Sequence, residues 1–393
     1  MSYNLMQALY TSVTGLNGFS QSLDTIGNNI SNMNTPGFWG SESFFENLAG
    51  DIGTSIAGTG MDTSQGDIEQ TNTATDVAIN GQGLFVLKDP QGNLYYTRSG
   101  QFELNSSGQL VDSVNQYVVQ GYDSSGNFGD MNISSLQTLP AKPTTTVNLT
   151  GNLSSLDPTD SVSNIVVYDA QGTPETLTMT LTNNNPSGAS STTNSWSVVL
   201  TDSSGNTVGS GTISFGTDGT PLAGSNTITM TGVLDDASQS ITFNFGTPGS
   251  LSGATSLGGT ATSLAAQVVD GNAPVGLSSE SFNTDGVLEL TYANGQTVAG
   301  PQLALASFTN EAAMQMIQGN LLLAPQNEIA QMGTANSGIF GQVEGSSLEM
   351  SNVNLTQELA DMIVIQRGYQ ASSRVMTVAS DMLQQLYEAT QGN

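Results

Sequence analysis

Leu5, Leu9, Ser12, Leu16, Phe19, Leu23, Ile26, Ile30 and Met33 recur in alternating steps of four and three residues. A seam of this kind, sustained over about four heptads, predicts an amphipathic helix of the coiled-coil type. Gly15, Gly18 and Gly27 each weaken the isolated helix by ~1 kcal/mol relative to alanine, so the segment needs a packing partner. The helix is expected to end in the asparagine cluster before Pro36, because the residue preceding proline is pushed out of helical geometry. Thr35-Pro36-Gly37-Phe38 then reads as a tight turn, with Gly37 supplying a positive φ.

The far end of the chain repeats the rhythm. Leu355, Leu359, Met362, Gln366, Tyr369, Ser373, Met376, Ser380, Leu383 and Tyr387 form a second four-three series, with Val375, Val378, Met382 and Leu386 on the adjoining face. Asn354 or Ser351 is the expected N-cap, and Glu358 and Asp361 sit near the positive end of the helix dipole. Two amphipathic helices bracket the chain. If they pack on each other, everything between them is an insertion and the domains are discontinuous.

Between the helices the period changes to two. "TLTMTLT", "SWSVVLT", "NTITMTG", "QSITFNFG" and "GVLELTY" alternate as half-buried antiparallel strands do. Asp89, Asn105, Asp123, Asp169 and Asp202 each stand three residues before a glycine, a pattern that suits a type I turn closed by a left-handed glycine in a hairpin. The Ser/Thr-rich strip Asn183–Ser195 and "GSLSGATSLGGTATS" are expected as a long loop and a flexible segment.

The 393 residues carry a formal charge of -28, with Lys88, Arg98, Lys142, Arg367 and Arg374 as the sole cations. Such a surface repels nucleic acid and anionic lipid. There is no cysteine, hence no disulfide framework or thiolate metal site. The N-terminus lacks the basic and apolar regions of a Sec-type signal peptide, and no apolar run approaches the ~20 residues of a membrane span. If the protein leaves the cell, another route takes it.

Enzyme chemistry has little to stand on. There is no histidine, and no nucleophile elbow, phosphate loop or zinc-helix pattern. "GQG" at Gly81–Gly83 precedes a strand without the helix a dinucleotide site needs, so it reads as a turn. Asp235 and Asp236 offer a carboxylate pair, but as strand neighbours they would point to opposite faces, and a solvated loop suits them better. The Asp-x-x-Gly turns lack the alternating ligands of a calcium loop. No cofactor or metal is expected. Gly368 interrupts the second helix in a way that suits close approach of another backbone. Arg367 and Arg374 have no carboxylate three or four residues away; each is either a solvated charge or a contact to an acidic neighbour.

Three blocks carry a resemblance. "NNISNMNTPGF", "DVAINGQGLFVL" with "YYTRSGQFELNSSGQLVD", and "GQVEGSSLEMSNVNLTQELADMIVIQRGYQASSRVM" resemble, in order, the characteristic segments of the bacterial flagellar rod and hook family of axial proteins. The family's turn motif falls on Asn32, Asn34, Thr35, Pro36, Gly37 and Phe38, and its C-terminal motif on Gln366, Arg367, Gly368, Tyr369 and Arg374. Ser31 stands where alanine is more usual, and Trp39 where a basic residue is common. Rod members are shorter; the hook branch carries an inserted β domain, whose start "NIVVYDAQGTPETLTMTLT" resembles. A long distal-rod-like protein is the nearer alternative, and a secreted acidic β-rich adhesin the more distant one.

The resemblance implies a fold class that is mainly β with long α-helical termini and discontinuous nested domains. The terminal helices pair in an inner coiled-coil-like layer, with outer β domains around it. Residues 1–33 with 352–393 form the helical polymerisation domain, 34–75 a connecting segment, 76–146 with 280–351 a β-rich middle domain, and 147–279 the inserted outer β domain. It implies a helical homopolymer at the extracellular hook, with rod and hook-filament junction proteins, a hook cap and the flagellar type III export apparatus as partners, and neither nucleic acid nor membrane insertion. Leu5, Leu9, Leu16, Phe19, Leu23, Ile26, Ile30, Leu355, Leu359, Met362, Tyr369, Met376 and Leu383 are the expected polymer contacts. Phe38 and Trp39 are expected to dock the connecting segment onto a neighbour or onto the following domain.

Overall fold

A computed structural model of the chain describes residues 2–48, 53–185, 193–233, 239–318, 320–326 and 328–391. It is mainly β with two long helices, α1 (Ser2–Ser31) and α2 (Leu355–Gln391). The chain divides into two compact units, one of Met1–Gln137, Ser278–Thr291 and Gly295–Asn393, the other of Thr138–Leu277 with Tyr292–Asn294.

In the first unit the helices run antiparallel. Asn29 meets Glu358, a Cβ on Gly368 would lie 2.7 Å from the Phe19 ring, and one on Gly15 would lie 3.1 Å from Ser372 Oγ. Gly15 and Gly368 are thus points of close approach, whereas Gly27 has open space around it, and the group that sits on Gly368 is Phe19 of the same chain. On α2 the covered positions are Glu358, Met362, Ile365, Gly368, Ser372, Ala379 and Leu383. Most of the four-three series read from the sequence lies outside this strip, because the close contact selects small residues over large apolar ones. Asn354 caps α2: its Oδ1 accepts from the N–H groups of Thr356 (3.0 Å) and Gln357 (3.3 Å).

The segment expected as a connector is a hairpin. β1 (Ser41–Asn47) and β2 (Thr54–Met61) pair antiparallel and lie along α1, with Phe45 against Phe19 (5.9 Å between centroids) and against Gly18. Its strands carry no clear sequence signal, because Ser, Glu and Gly dilute the apolar alternation there. The remaining strands centre on Leu84–Lys88, which pairs with Leu94–Thr97, Val118–Tyr122 and Leu305–Ser307. Val77–Asn80 pairs with Gln342–Gly345, and Ile68–Gln70 with Ser347–Glu349, so chain segments more than 250 residues apart form common ladders. Trp39, Leu84, Val86, Tyr96, Phe308 and Leu322 share one core.

The second unit holds a sequential antiparallel sheet, Thr159–Tyr168, Pro174–Asn183, Asn194–Thr201 and Thr207–Phe215. A second sheet is built on Thr146–Asn152. The alternating apolar positions of both meet in one core around Trp196, Phe215, Phe243 and Phe245. All five Asx-x-x-Gly segments join paired strands, and Asn283–Gly286 is a sixth of the same form. In each, the first side chain accepts amide hydrogens two and four residues on, and the glycine φ lies between 74° and 93°. The carboxylates are thereby committed to their own turns. The segment expected as flexible after Gly249 is anchored by Asn152, which bonds the Leu257 N–H (2.9 Å) and the Thr260 carbonyl (3.1 Å). The Asn183–Ser195 strip is strand at both ends; residues 186–192 of it, like Asp235 and Asp236, lie outside the described residues.

Candidate functional site: the junction of the three blocks

Proline sets the first element. Pro36 and Gly37 occupy the central positions of a turn closed by Phe38 N–H to the Thr35 carbonyl (3.2 Å), with Gly37 at φ 70°. A Cβ on Gly37 would overlap the backbone of Ser99, so only glycine lets the turn press against that strand end. Asn32 steadies the exit of α1 by donating to the Asn28 carbonyl (2.9 Å) and accepting from Thr35 Oγ1 (3.3 Å), while Asn34 is exposed. Phe38 and Trp39 are 2% and 3% exposed, the latter inside the β core of its own unit. Trp39 packs there against Leu84, Val86 and Tyr96 of the segment that follows.

At the point where Gly37 touches down, Arg98 is 3% and Glu349 1% exposed, and Arg98 Nε donates to Glu349 Oε2 at 2.6 Å. Three of the four remaining guanidinium hydrogens go to the carbonyls of Ile79 (2.8 Å), Gly81 (2.7 Å) and Gly83. The "GQG" turn is therefore a cradle of carbonyls around an arginine; Gly81 and Gly83 adopt φ 117° and 131°. Glu349 Oε1 accepts from Gly66 N–H (3.1 Å), and its backbone carbonyl from Gly37 N–H (2.8 Å). Asn320 donates to the Pro36 carbonyl (3.0 Å) and accepts from Thr97 Oγ1 (3.0 Å). All three sequence blocks meet within these bonds.

One helical turn away, Asn29 is buried and forms reciprocal bonds with the N–H and carbonyl of Ser41, both 2.9 Å, and a third to Glu358 Oε1 at 2.8 Å. Asn352 accepts from Gly40 N–H (2.8 Å) and donates to the carbonyls of Asp62 (2.8 Å) and Ser64 (2.9 Å). Burial, then the Asp361 and Glu42 carboxylates, raise the Glu358 pKa above its ordinary 4.5 against the opposing Asn29 bond. Arg98, Glu349, Asn29 and Asn352 were not singled out from the sequence. The available signal was that Arg98 is the sole cation of its block; nothing in the sequence set the other three apart from the polar residues around them.

The expected polymer contacts divide by helix. On α1, Ile26 is buried and Leu5, Leu9, Leu16, Phe19, Leu23 and Ile30 are half-buried. On α2, Met362 and Leu383 are half-buried, whereas Leu355, Leu359, Tyr369 and Met376 are exposed, as are Gln366, Arg367 and Arg374. Exposed Ile363, Val364 (65%), Val375, Val378, Met382, Leu386 and Tyr387 enlarge that apolar surface. Among the described residues, no group of three or more acidic, His or Cys side chains is placed to hold a metal ion, and no helix is long and apolar enough to cross a membrane.

Three family profiles match the chain. "Flagella basal body rod protein" covers residues 9–38, "Flagellar hook protein FlgE/F/G D1 domain" 78–155, and "Flagellar basal body rod FlgEFG protein C-terminal" 344–388. The flagellar hook protein FlgE of Escherichia coli (strain K12) is 32% identical over 96% of this chain and 99% of its own length. The Brucella suis hook protein FlgE is 28% identical over 97% of both. In fold, the chain resembles the Helicobacter pylori flagellar hook protein FlgE2, with a TM-score of 0.51 and 14% identity over 72% of this chain and all of that one. The match to the hook proteins runs nearly end to end, through the turn, the arginine cradle and α2 alike, and the chain belongs to the flagellar hook protein family.

Proposed function

We propose that this chain polymerises through its terminal helices into a curved, open-ended tube that joins rod to filament and passes torque around a bend. As a member of its family it is a structural subunit of the bacterial flagellar hook, on the extracellular side, and its role is mechanical rather than catalytic. The observation that carries the assembly reading is the uncovered apolar surface of α2. Leu355, Leu359, Tyr369 and Met376 stand exposed beside seven further apolar side chains on a helix that a monomer leaves half uncovered. Exposed apolar side chains in this number, spread around most of the helix, mark an interaction surface. A contact between unlike patches of identical subunits that does not close on itself propagates without limit.

In this reading the paired helices form the inner layer in coiled-coil-like contact with neighbouring copies. The β-rich units form the outer wall and slide as the tube bends. The junction around Arg98 holds the helices at a fixed exit angle, so that torque reaches the β units. The rod and junction proteins, the hook cap and the type III export apparatus are the partners that fit this role. Removing Leu355–Asn393 tests it, because Glu349 and the junction stay in place. The expected product is a folded, β-rich monomer that does not sediment as polymer under conditions where the full chain does. Tubes formed by the truncated chain would refute the reading.

A further inference from the structure

Among the described residues, three of the five cations have partners inside the chain: Lys88 with Asp130, Arg98 with Glu349 and Lys142 with Asp270. Arg367 and Arg374 have none, and both are exposed. They are seven residues apart, roughly 10 Å along one face of α2, with exposed Ile363 and Val378 beside them on that face. A pair of free guanidinium groups on a chain of charge -28 is a distinctive surface.

The opposite side of the same helix has the complementary character. Glu42 on β1 and Glu358 and Asp361 on α2 line a groove of about 320 Å³ together with Ser22, Thr25 and Val364. Among the described residues, no ion pair joins these three carboxylates to a cation of their own chain, and their mutual repulsion contributes to the raised Glu358 pKa. At 3.6 residues per turn, Glu358, Asp361 and Ile365 fall on one side of α2 and Arg367 and Arg374 on the other. A single copy therefore cannot bring the two patches together.

We propose that the Arg367–Arg374 face of α2 docks on a second copy of this chain, the arginines pairing with Glu42 and Asp361 at the edge of that copy's groove. The inference rests on the self-assembly reading and specifies its contact. Cations and carboxylates on opposite faces make a head-to-tail interface, the kind that gives open polymers. Aligning the patches requires neighbouring copies to be offset by roughly 10–25 Å along the helix axis, the rise from Asp361 to Arg367 and from Glu358 to Arg374. The contact also removes like-charge repulsion where acidic subunits crowd most closely.

The test uses the full chain, R367E/R374E and E42R/D361R, each followed by sedimentation and negative-stain electron microscopy, with circular dichroism as the folding control. The four side chains are exposed, so both variants are expected to keep the wild-type spectrum. Each alone is expected to raise the critical concentration about tenfold or more, and a 1:1 mixture to co-assemble near the wild-type value. R367Q/R374Q, which removes charge without reversing it, is expected to fall between. Polymerisation of R367E/R374E at the wild-type concentration would overturn the inference, as would natively folded variants whose mixture fails to co-assemble. Failure of the wild-type chain itself to form open-ended polymers would overturn the self-assembly reading, and that result is separately visible in the control.

Discussion

Removing the charge of Glu349 isolates the junction from everything else in the chain. In Glu349→Gln the Arg98 guanidinium keeps its three carbonyl partners but loses its counter-charge at a site where both side chains are at most 3% exposed. Breaking one side of a buried pair leaves an uncompensated charge and costs about 3–5 kcal/mol. For a unit of this size each kcal/mol shifts the melting temperature by about 2–4 °C, so the expected loss is roughly 6–20 °C. The loss should be local. Hydrogen–deuterium exchange should show faster exchange across residues 77–100 and 342–350, and unchanged protection across Thr176–Thr182 and Ser195–Thr201 of the second unit. The double replacement Arg98→Met with Glu349→Leu should recover part of the stability, because neither buried charge then remains. A Glu349→Gln shift under 2 °C, or a double variant no better than the single one, would refute the claim that this pair locks the three blocks together.

Gly37→Ala should destabilise the first unit by about 2–5 kcal/mol, the sum of a left-handed backbone penalty and overlap with Ser99, read as a lower melting temperature. Acid should act in two opposite steps. Asp123, Asp169 and Asp202 have pKa values lowered by hydrogen bonds, first from Asn127, Thr173 and Asn206 respectively, so the stability they supply is present above their ordinary 3.8 and is lost as pH falls below it. Glu358 has a raised pKa, so its contribution has the other sign: stability of the helical layer increases as pH falls through its folded pKa toward the ordinary 4.5. Exchange measured residue by residue from pH 6 to pH 3 should show α2 gaining protection before the hairpins lose theirs; simultaneous loss in both would contradict this order.

The parts of this fold that follow local rules were legible in the sequence. Period-two runs such as Thr176–Thr182 are strands because alternation on a half-buried sheet is a one-dimensional property, and each Asx-x-x-Gly turn closes on itself within five residues. Pro36 fixes its own φ and Gly37 readily takes the positive φ that follows, so the bend was legible too. The hairpin at Ser41–Met61 was not, because its strands derive their register from Phe45 on Phe19 and Ser43 on Thr25, contacts that local alternation does not encode. The face of α2 was half legible. Its four-three rhythm establishes a helix with apolar surface, but that helix has two such strips, and the small residues Gly368, Ser372 and Ala379 decide which one meets α1. The Arg98–Glu349 pair spans 251 residues, and neither side chain signals burial without the other.

The central claim is that the terminal helices build the polymer and that the uncovered face of α2 is its contact. A cryo-electron microscopy reconstruction of tubes grown from the full chain tests it most directly. The account predicts α1 and α2 innermost, with Leu359, Tyr369 and Met376 covered by neighbouring copies and Arg367 and Arg374 within ion-pair distance of Glu42 and Asp361 of one of them. Tubes in which the uncovered surface of α2 lies open to solvent, with the contacts made by the β units alone, would contradict it.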